Sequence, residues 1–449
     1  MIILLFKNAT IVNENQIFES DLLVENGRIT KIANDIKAPT DCRVIDATGK
    51  HLIPGMIDDQ VHFREPGLTH KGEIKTESKA AIAGGITTYM EMPNVNPQTT
   101  TLQALEEKYA RALDKSFANY AFYLGATNDN IHEIRKLDPN QACGVKIFMG
   151  ASTGNMLVDS EKTLAKIFAD CPVLIATHCE DTPMIAQLEE IYRNKYGENI
   201  PMHEHARIRS SEACLKSSQL AVELAKEYGT NLHVLHLTTA DELYQFEPAK
   251  TLEELVNKQI TTEVCIHHLF FNRNDYERLG SQIKCNPAVK EEDDQRALIR
   301  AVKDGIIDII ATDHAPHTWN EKQTTYFNVP SGLPLVQHAL LSAFEFYHRG
   351  IFSLELVIQK ACHAPAVRYQ VKDRGFIREG FWADLVLIDL QSTETVMKNN
   401  IFYKCAWSPF EGYTFSTSIN MTVLNGNVAF ENGEHCEQRF AQRLEFDRR

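Results

Sequence analysis

The stretch Gly55-Met56-Ile57-Asp58-Asp59-Gln60-Val61-His62 begins apolar and ends on two side chains suited to chemistry, Gln60 and His62. Residues two apart on a β-strand point to the same side, so as a strand it would turn both toward one site. Working outward, further strand candidates of four to six residues begin near Thr87, Asn119, Gly144, Val173, Leu232, Thr261 and Ile306, which makes eight in all. Longer stretches of helical pattern separate them; within 217–227, Leu220, Ala221, Leu224 and Ala225 share one face. Eight alternations over roughly 300 residues predict an α/β chain folded as a (β/α)8 barrel.

Both chain ends read differently. Val24-Glu25-Asn26-Gly27-Arg28-Ile29 and Thr422-Val423-Leu424-Asn425-Gly426-Asn427-Val428 alternate apolar and polar residues around Asn-Gly, the dipeptide of tight hairpins. The expected organisation is a barrel over 55–369 beside a small β-sandwich built from 1–54 and 370–449, the latter including a tail. No low-complexity linker separates the parts.

The C-terminal ends of barrel strands carry the working residues of such folds. Here they offer Gln60 and His62 on strand one, Lys146 within Gly144-Val145-Lys146-Ile147-Phe148, His178 after Ala176-Thr177, His236 after Val234-Leu235, and Asp313 after strand eight. Each alone has an ordinary structural explanation: a satisfied histidine, a lysine reaching solvent, an aspartate capping a helix. Their joint placement at one barrel mouth predicts a metal site.

Composition narrows the partners. The 449 residues hold 46 Lys and Arg against 60 Asp and Glu, a balance of −14, with no dense basic run to attract nucleic acid or an anionic membrane. The ten cysteines form no CxxC pair, which fits a reduced, cytoplasmic setting better than a disulfide framework or zinc ribbon. The apolar run 1–6 is short, has no basic segment ahead of it and is unlike a signal peptide. Nothing approaches the roughly 18 apolar residues of a membrane span.

Val61-His62-Phe63-Arg64-Glu65-Pro66-Gly67, Gly84-Gly85-Ile86-Thr87-Thr88, Met92-Pro93-Asn94, His267-His268, Asn286-Pro287 and Asp313-His314-Ala315-Pro316-His317 follow one another in order. This set resembles the cyclic amidohydrolases, and among them the dihydroorotases, from about residue 54 to 382. The resemblance implies reversible hydrolysis of the ring amide of dihydroorotate to N-carbamoyl-aspartate, a step of pyrimidine synthesis, in a zinc-dependent barrel. It implies that His178 and His236 hold one zinc ion, that His62 and Asp313 help hold another, and that Lys146, carboxylated by carbon dioxide, bridges them. Some relatives place an aspartate at the bridging position. Asp313 would also carry the proton to the departing ring nitrogen. Arg64 and Asn94 would take the substrate carboxylate, with Asn286, His317 and main-chain groups of Ser331 and Gly332 as further contacts. A homodimer is implied as well.

One position departs from the pattern. The family has His-x-His where this chain has Gln60 and His62. An amide oxygen is a poorer zinc ligand than imidazole, so one ion is expected to be held firmly and the second weakly or not at all. Two other readings compete: an allantoinase or hydantoinase-type enzyme, whose uncharged ring would give Arg64 no carboxylate, and a catalytically silent scaffold. His267-His268 either reaches the mouth or packs near Phe270-Phe271. Cys179 reads as packing, and His203 and His205 as surface.

Overall fold

The computed structural model describes residues 3–152 and 154–448. The barrel strands are Met56–Val61, Ile86–Glu91, Asn119–Phe122 with Leu124–Gly125, Val145–Phe148, Ile175–His178, Leu232–Val234, Ile260–Cys265 and Ile309–Ala311. Neighbours pair in parallel around the ring. A parallel bridge between Val61 and His314 closes it, with the His62 amide donating to the His314 carbonyl at 2.7 Å. Nearly all residues of these strands are buried, which is why they read as short apolar runs bounded by polar ends.

The eighth strand starts at Ile309, three residues later than its apolar run suggests. Gly305, at φ 79°, ends the helix Glu292–Asp304, and the amides of Ile306 and Ile307 turn back to the Ala301 carbonyl. Those two isoleucines therefore belong to the helix cap rather than to the sheet.

The chain ends build one nine-stranded sheet that folds over its own core. Its centre is the strand Ile3–Asn13, whose first half pairs with Cys42–Asp46 and whose second half pairs with His51–Pro54. The change of partner comes between Lys7 and Thr10, beside the irregularity at Phe6–Ala9 in the pairing with Gln16–Glu25, and Asn8 there has φ 58°. This bend lets Leu4, Phe6 and Ile11 face Leu385, Leu387 and Met421 from the C-terminal strands. The sandwich is thus closed by Leu385–Asp389, which lies antiparallel to His51–Pro54.

The two Asn-Gly dipeptides quoted above form the hairpins their sequence predicts, Asn26-Gly27 at φ 55° and 82° and Asn425-Gly426 at φ 49° and 74°. The two turns abut: a Cβ on Gly426 would lie 2.5 Å from the Gly27 Cα. A buried ion pair of Arg374 with Asp384 stands beside them and reaches the barrel through Asn119, whose Nδ2 donates to Asp384 at 3.1 Å.

The rest of the C-terminal region packs on the barrel. Trp407 donates its indole N–H to the His317 carbonyl at 2.7 Å. Tyr120 in the third barrel strand exchanges backbone hydrogen bonds with Gln442 and Leu444. The ten cysteines are free, and no helix among the described residues is long and apolar enough to cross a membrane.

Candidate active site

Gln60, His62, Arg64, Asn94, Lys146, His178, His236, Asn286, Asp313, Ser331 and Gly332 line one cavity at the mouth of the barrel, together with Phe148, Ala151 and Ala315. Of the metal, catalytic and substrate residues that the sequence assigns to the site, only His317 is absent from this lining, standing behind Arg64; His267 and His268 do not line it either. Four lining residues, Arg64 (φ 72°), Ala151 (54°), His236 (38°) and Asp313 (49°), occupy the left-handed region that side chains other than glycine rarely adopt. Such strain costs on the order of 1–3 kcal/mol per residue and concentrates where function demands it.

The histidines meet in two pairs. His62 places Nε2 3.0 Å from Asp313 Oδ1 and Nδ1 2.8 Å from Asn94 Oδ1. Both partners are acceptors, so the arrangement asks for a doubly protonated ring. Burial, however, holds the His62 ring below its ordinary range. A cation between Nε2 and Asp313 removes the conflict. Burial also works to raise the Asp313 carboxyl, but the His62 hydrogen bond and the surrounding positive groups hold it lower.

In the second pair, His178 Nδ1 lies 2.9 Å from His236 Nε2. The other nitrogen of His178 lies 2.8 Å from Glu180 Oε2, which also accepts from Arg209 at 2.7 Å. Burial opposes ionisation of Glu180, yet the Arg209 charge and the His178 bond keep it ionised down to about 2. Glu180 therefore fixes the His178 proton on Nε2 and turns the Nδ1 lone pair toward His236. Burial favours the neutral form of both rings, so two nitrogen donors converge on one point.

Lys146 stands within the strand Val145–Phe148, its ammonium nitrogen 4.6 Å from the centre of the Phe148 ring. Burial brings its amine down to about 8, so a substantial neutral fraction is present near neutral pH. Neutral imidazoles, a carboxylate and a readily deprotonated amine form a donor set that fits divalent metal.

Gln60 is not turned as a ligand. Its Nε2 donates to Asp313 Oδ1 at 3.3 Å, while its Oε1 accepts from the Cys265 thiol at 3.6 Å.

The substrate side has its own order. Arg64 is buried, which lowers its guanidinium to about 10, and its Nε donates to the Pro316 carbonyl at 3.1 Å. Lys71 lies 3.1 Å from His317 Nδ1, and His317 Nε2 lies 3.0 Å from the Ser331 carbonyl. The ammonium on Nδ1 places the ring proton on Nε2, where it goes to Ser331. The Arg64 Nη2 group, 3.0 Å from that same Nε2, is left facing an N–H. An incoming anion would satisfy it.

Asn286 adds an Oδ1 that is buried without a partner, an acceptor suited to a ring N–H. Gly332 differs from its predicted role, because its amide donates to the Lys284 carbonyl and its carbonyl accepts from Lys322. Its main chain is committed to holding the loop, and a Cβ there would fall 2.5 Å from the Ala315 carbonyl.

Several supporting residues were not anticipated: Glu180, Arg209, Lys71, Lys284 and Lys322. Glu180 carried a signal, since it lies two residues past His178 as His62 lies two past Gln60. His205 is a correction. It is buried, with Nδ1 2.8 Å from the Tyr326 hydroxyl and Nε2 2.8 Å from the Cys285 carbonyl, so it braces the loop instead of facing solvent. Cys179 packs in the core as expected.

Replacing Glu180 with Gln is expected to weaken metal affinity by about 10- to 100-fold, the usual cost of losing a partner behind a ligating histidine. Competition of the variant and parent with a chromogenic chelator measures it, and equal affinities would remove Glu180 from this role.

A larger cavity at the N-terminal ends of the strands is lined by Arg368, Arg374, Arg378 and Arg448. Their guanidinium groups are engaged by backbone carbonyls, Asp384 or Glu14, so it offers no comparable set of free groups.

Residues 51–429 match the model of the amidohydrolase family. The chain is 34% identical to a dihydroorotase of Methanosarcina acetivorans, over 96% of each chain, and 33% identical to one of Methanosarcina mazei, over 90% of each. Among solved structures it resembles the L-hydantoinase (dihydropyrimidinase) of Arthrobacter aurescens, with a TM-score of 0.92 and 28% identity over 99% of this chain and 100% of that one. A barrel with this donor set, matched along nearly its whole length, belongs to the amidohydrolase family.

Proposed function

We propose that the chain is a dihydroorotase, a cyclic amidohydrolase that interconverts dihydroorotate and N-carbamoyl-aspartate in pyrimidine synthesis. The observation that carries the reading is Arg64, a buried cation in the lining of a metal-fitting cavity. The protein's overall balance of −14 does not attract an anionic substrate, so the attraction must be local.

In this reading His178, His236 and Lys146 hold one zinc ion firmly, with Lys146 carrying a carbon dioxide-derived carboxylate. His62 and Asp313 hold a second ion weakly, because Gln60 turns its amide nitrogen inward. Bound zinc supplies Lewis acidity toward the ring carbonyl and lowers the pKa of its water to about 7. Arg64 binds the substrate carboxylate and Asn286 orients the ring, while His317, with both ring nitrogens engaged, stands behind Arg64 instead of touching the substrate. Asp313 accepts the proton of the attacking water and passes it to the departing ring nitrogen. Asn94, whose Oδ1 is already engaged by His62, reaches the substrate through its remaining amide N–H groups. The same reading carries a homodimer and a reduced cytoplasmic setting, the latter in keeping with ten free cysteines.

The likeness to a hydantoinase favours a second reading, hydrolysis of an uncharged ring. Ultraviolet absorbance of dihydroorotate, hydantoin and allantoin separates the two. Loss of the ring signal with dihydroorotate alone is the expected result; turnover of hydantoin or allantoin without dihydroorotate would overturn it. No turnover of any of the three, with zinc and bicarbonate supplied, would favour a scaffold.

Arg64→Met is expected to lower kcat/KM for dihydroorotate by roughly 30- to 1000-fold, mostly through KM, as removal of one partner from a buried charge pair does. Steady-state kinetics at several substrate concentrations check it, and an unchanged KM would move the carboxylate contact elsewhere.

A further inference from the structure

Behind Gln60 stands a set of donors that the proposed reaction does not use. Cys265 ends the seventh barrel strand, and His267 and His268 follow it in the short helix Ile266–Phe270. One donor atom from each lies within 4.8 Å of the other two, and all three residues are buried. Neither ring nitrogen of His267, which is 0% exposed, has a hydrogen-bond partner. The Thr312 backbone is near enough to influence that ring but lies outside hydrogen-bonding geometry. His268 directs Nε2 at the Pro287 carbonyl at 3.1 Å, which fixes its proton there and leaves the Nδ1 lone pair without a partner.

Three unpaired imidazole nitrogens in one buried cluster are unusual, because each forfeits a bond that water would have supplied. The donor types decide what would satisfy them. A thiol and two neutral imidazoles suit a borderline-soft divalent cation; zinc takes such sulfur at about 2.3 Å and such nitrogen at about 2.0–2.1 Å, with a fourth position open. Hard cations prefer oxygen, and the cluster supplies none of its own.

We propose that Cys265, His267 and His268 bind a divalent cation of the zinc class, with Gln60 Oε1, 3.6 Å from the thiol, as the adjacent oxygen donor. The thiol gives up its proton to solvent on binding. This site is separate from the His178, His236 and Lys146 set. It gives the chain a thiolate-bearing metal position on the side of the cavity where Gln60 replaces an imidazole.

Cobalt(II) is the probe. Protein stripped by chelator and reloaded with cobalt(II) is expected to show thiolate-to-cobalt charge-transfer absorption, which the nitrogen and oxygen donors at His62, Lys146, His178, His236 and Asp313 cannot produce. Cys265→Ser is expected to lose that absorption and to retain one equivalent of metal per chain fewer than the parent. His267→Gln, similar in size, is expected to lose the same equivalent. Cys179→Ser, which changes the thiol beside His178, is expected to keep both. A parent protein without the absorption overturns the proposal, as does absorption that survives Cys265→Ser or vanishes in Cys179→Ser. The parent spectrum is decisive even where a variant does not fold. None of these readings depends on turnover, so failure here is distinguishable from failure of the dihydroorotase reading.

Discussion

Asp313→Asn is expected to lower kcat by about 10²- to 10⁴-fold, the range that a positioned acid or base contributes. The asparagine keeps the size and planarity of the carboxylate and can still accept from His62 and Gln60 through its oxygen. It cannot accept a proton from water and return it to the ring nitrogen. Asp313 is also held in a strained left-handed backbone, φ 49°, at the one point of the ring that faces His62, Gln60 and His267 together. KM should move little, because in the proposed reading the carboxylate is bound by Arg64 and not by Asp313. Steady-state kinetics on the zinc-loaded variant are the measurement. An unchanged kcat would take the proton-carrying role from Asp313, and a loss confined to KM would recast it as a binding residue.

The fold was legible because its strands are short, apolar and closed by polar residues. Ile175–His178 and Leu232–Val234 are buried along their whole length; His178 ends the first, and His236 follows two residues past the second. The exception, Ile306 and Ile307, is informative: both are apolar and β-branched, but a helix carbonyl claims their amides before the sheet can. Chain-local spacing also placed Gln60, His62, Lys146, His178, His236 and Asp313 in one cavity. It did not show the direction of the Gln60 amide, which depends on Cys265 from a strand about 200 residues away. What holds the loop that carries Ser331 and Gly332 was hidden for a similar reason. Lys322 and Lys284 hold it through four of its backbone carbonyls, and no periodicity reports a lysine that bonds to a distant loop. His205 was misread because Glu204 and Arg207 give its segment a solvated texture while its ring points inward.

Lys146→Ala should have the second large effect, a loss of several kcal/mol of Lewis-acid stabilisation, or about 10²- to 10⁴-fold in turnover. A lysine here is chemically odd in one respect: its amine is buried beside Phe148, donates to no group among the described residues, and has its proton affinity brought down to about 8. At pH 7 roughly a tenth of such amines are neutral, a few hundred-fold more than for an ordinary lysine. Only the neutral amine reacts with carbon dioxide, and the product is a carboxylate able to reach two cations. The reading therefore predicts what restores the alanine variant. Propionate should recover part of the lost activity, because it returns a carboxylate to the cavity, and propylamine should not. Recovery by propylamine alone would mean that Lys146 works as a free amine, and the bridging carboxylate would have to be abandoned while the roles of His178, His236 and Asp313 stood. Recovery by neither, with metal retained at the parent level, would place Lys146 outside the metal centre altogether.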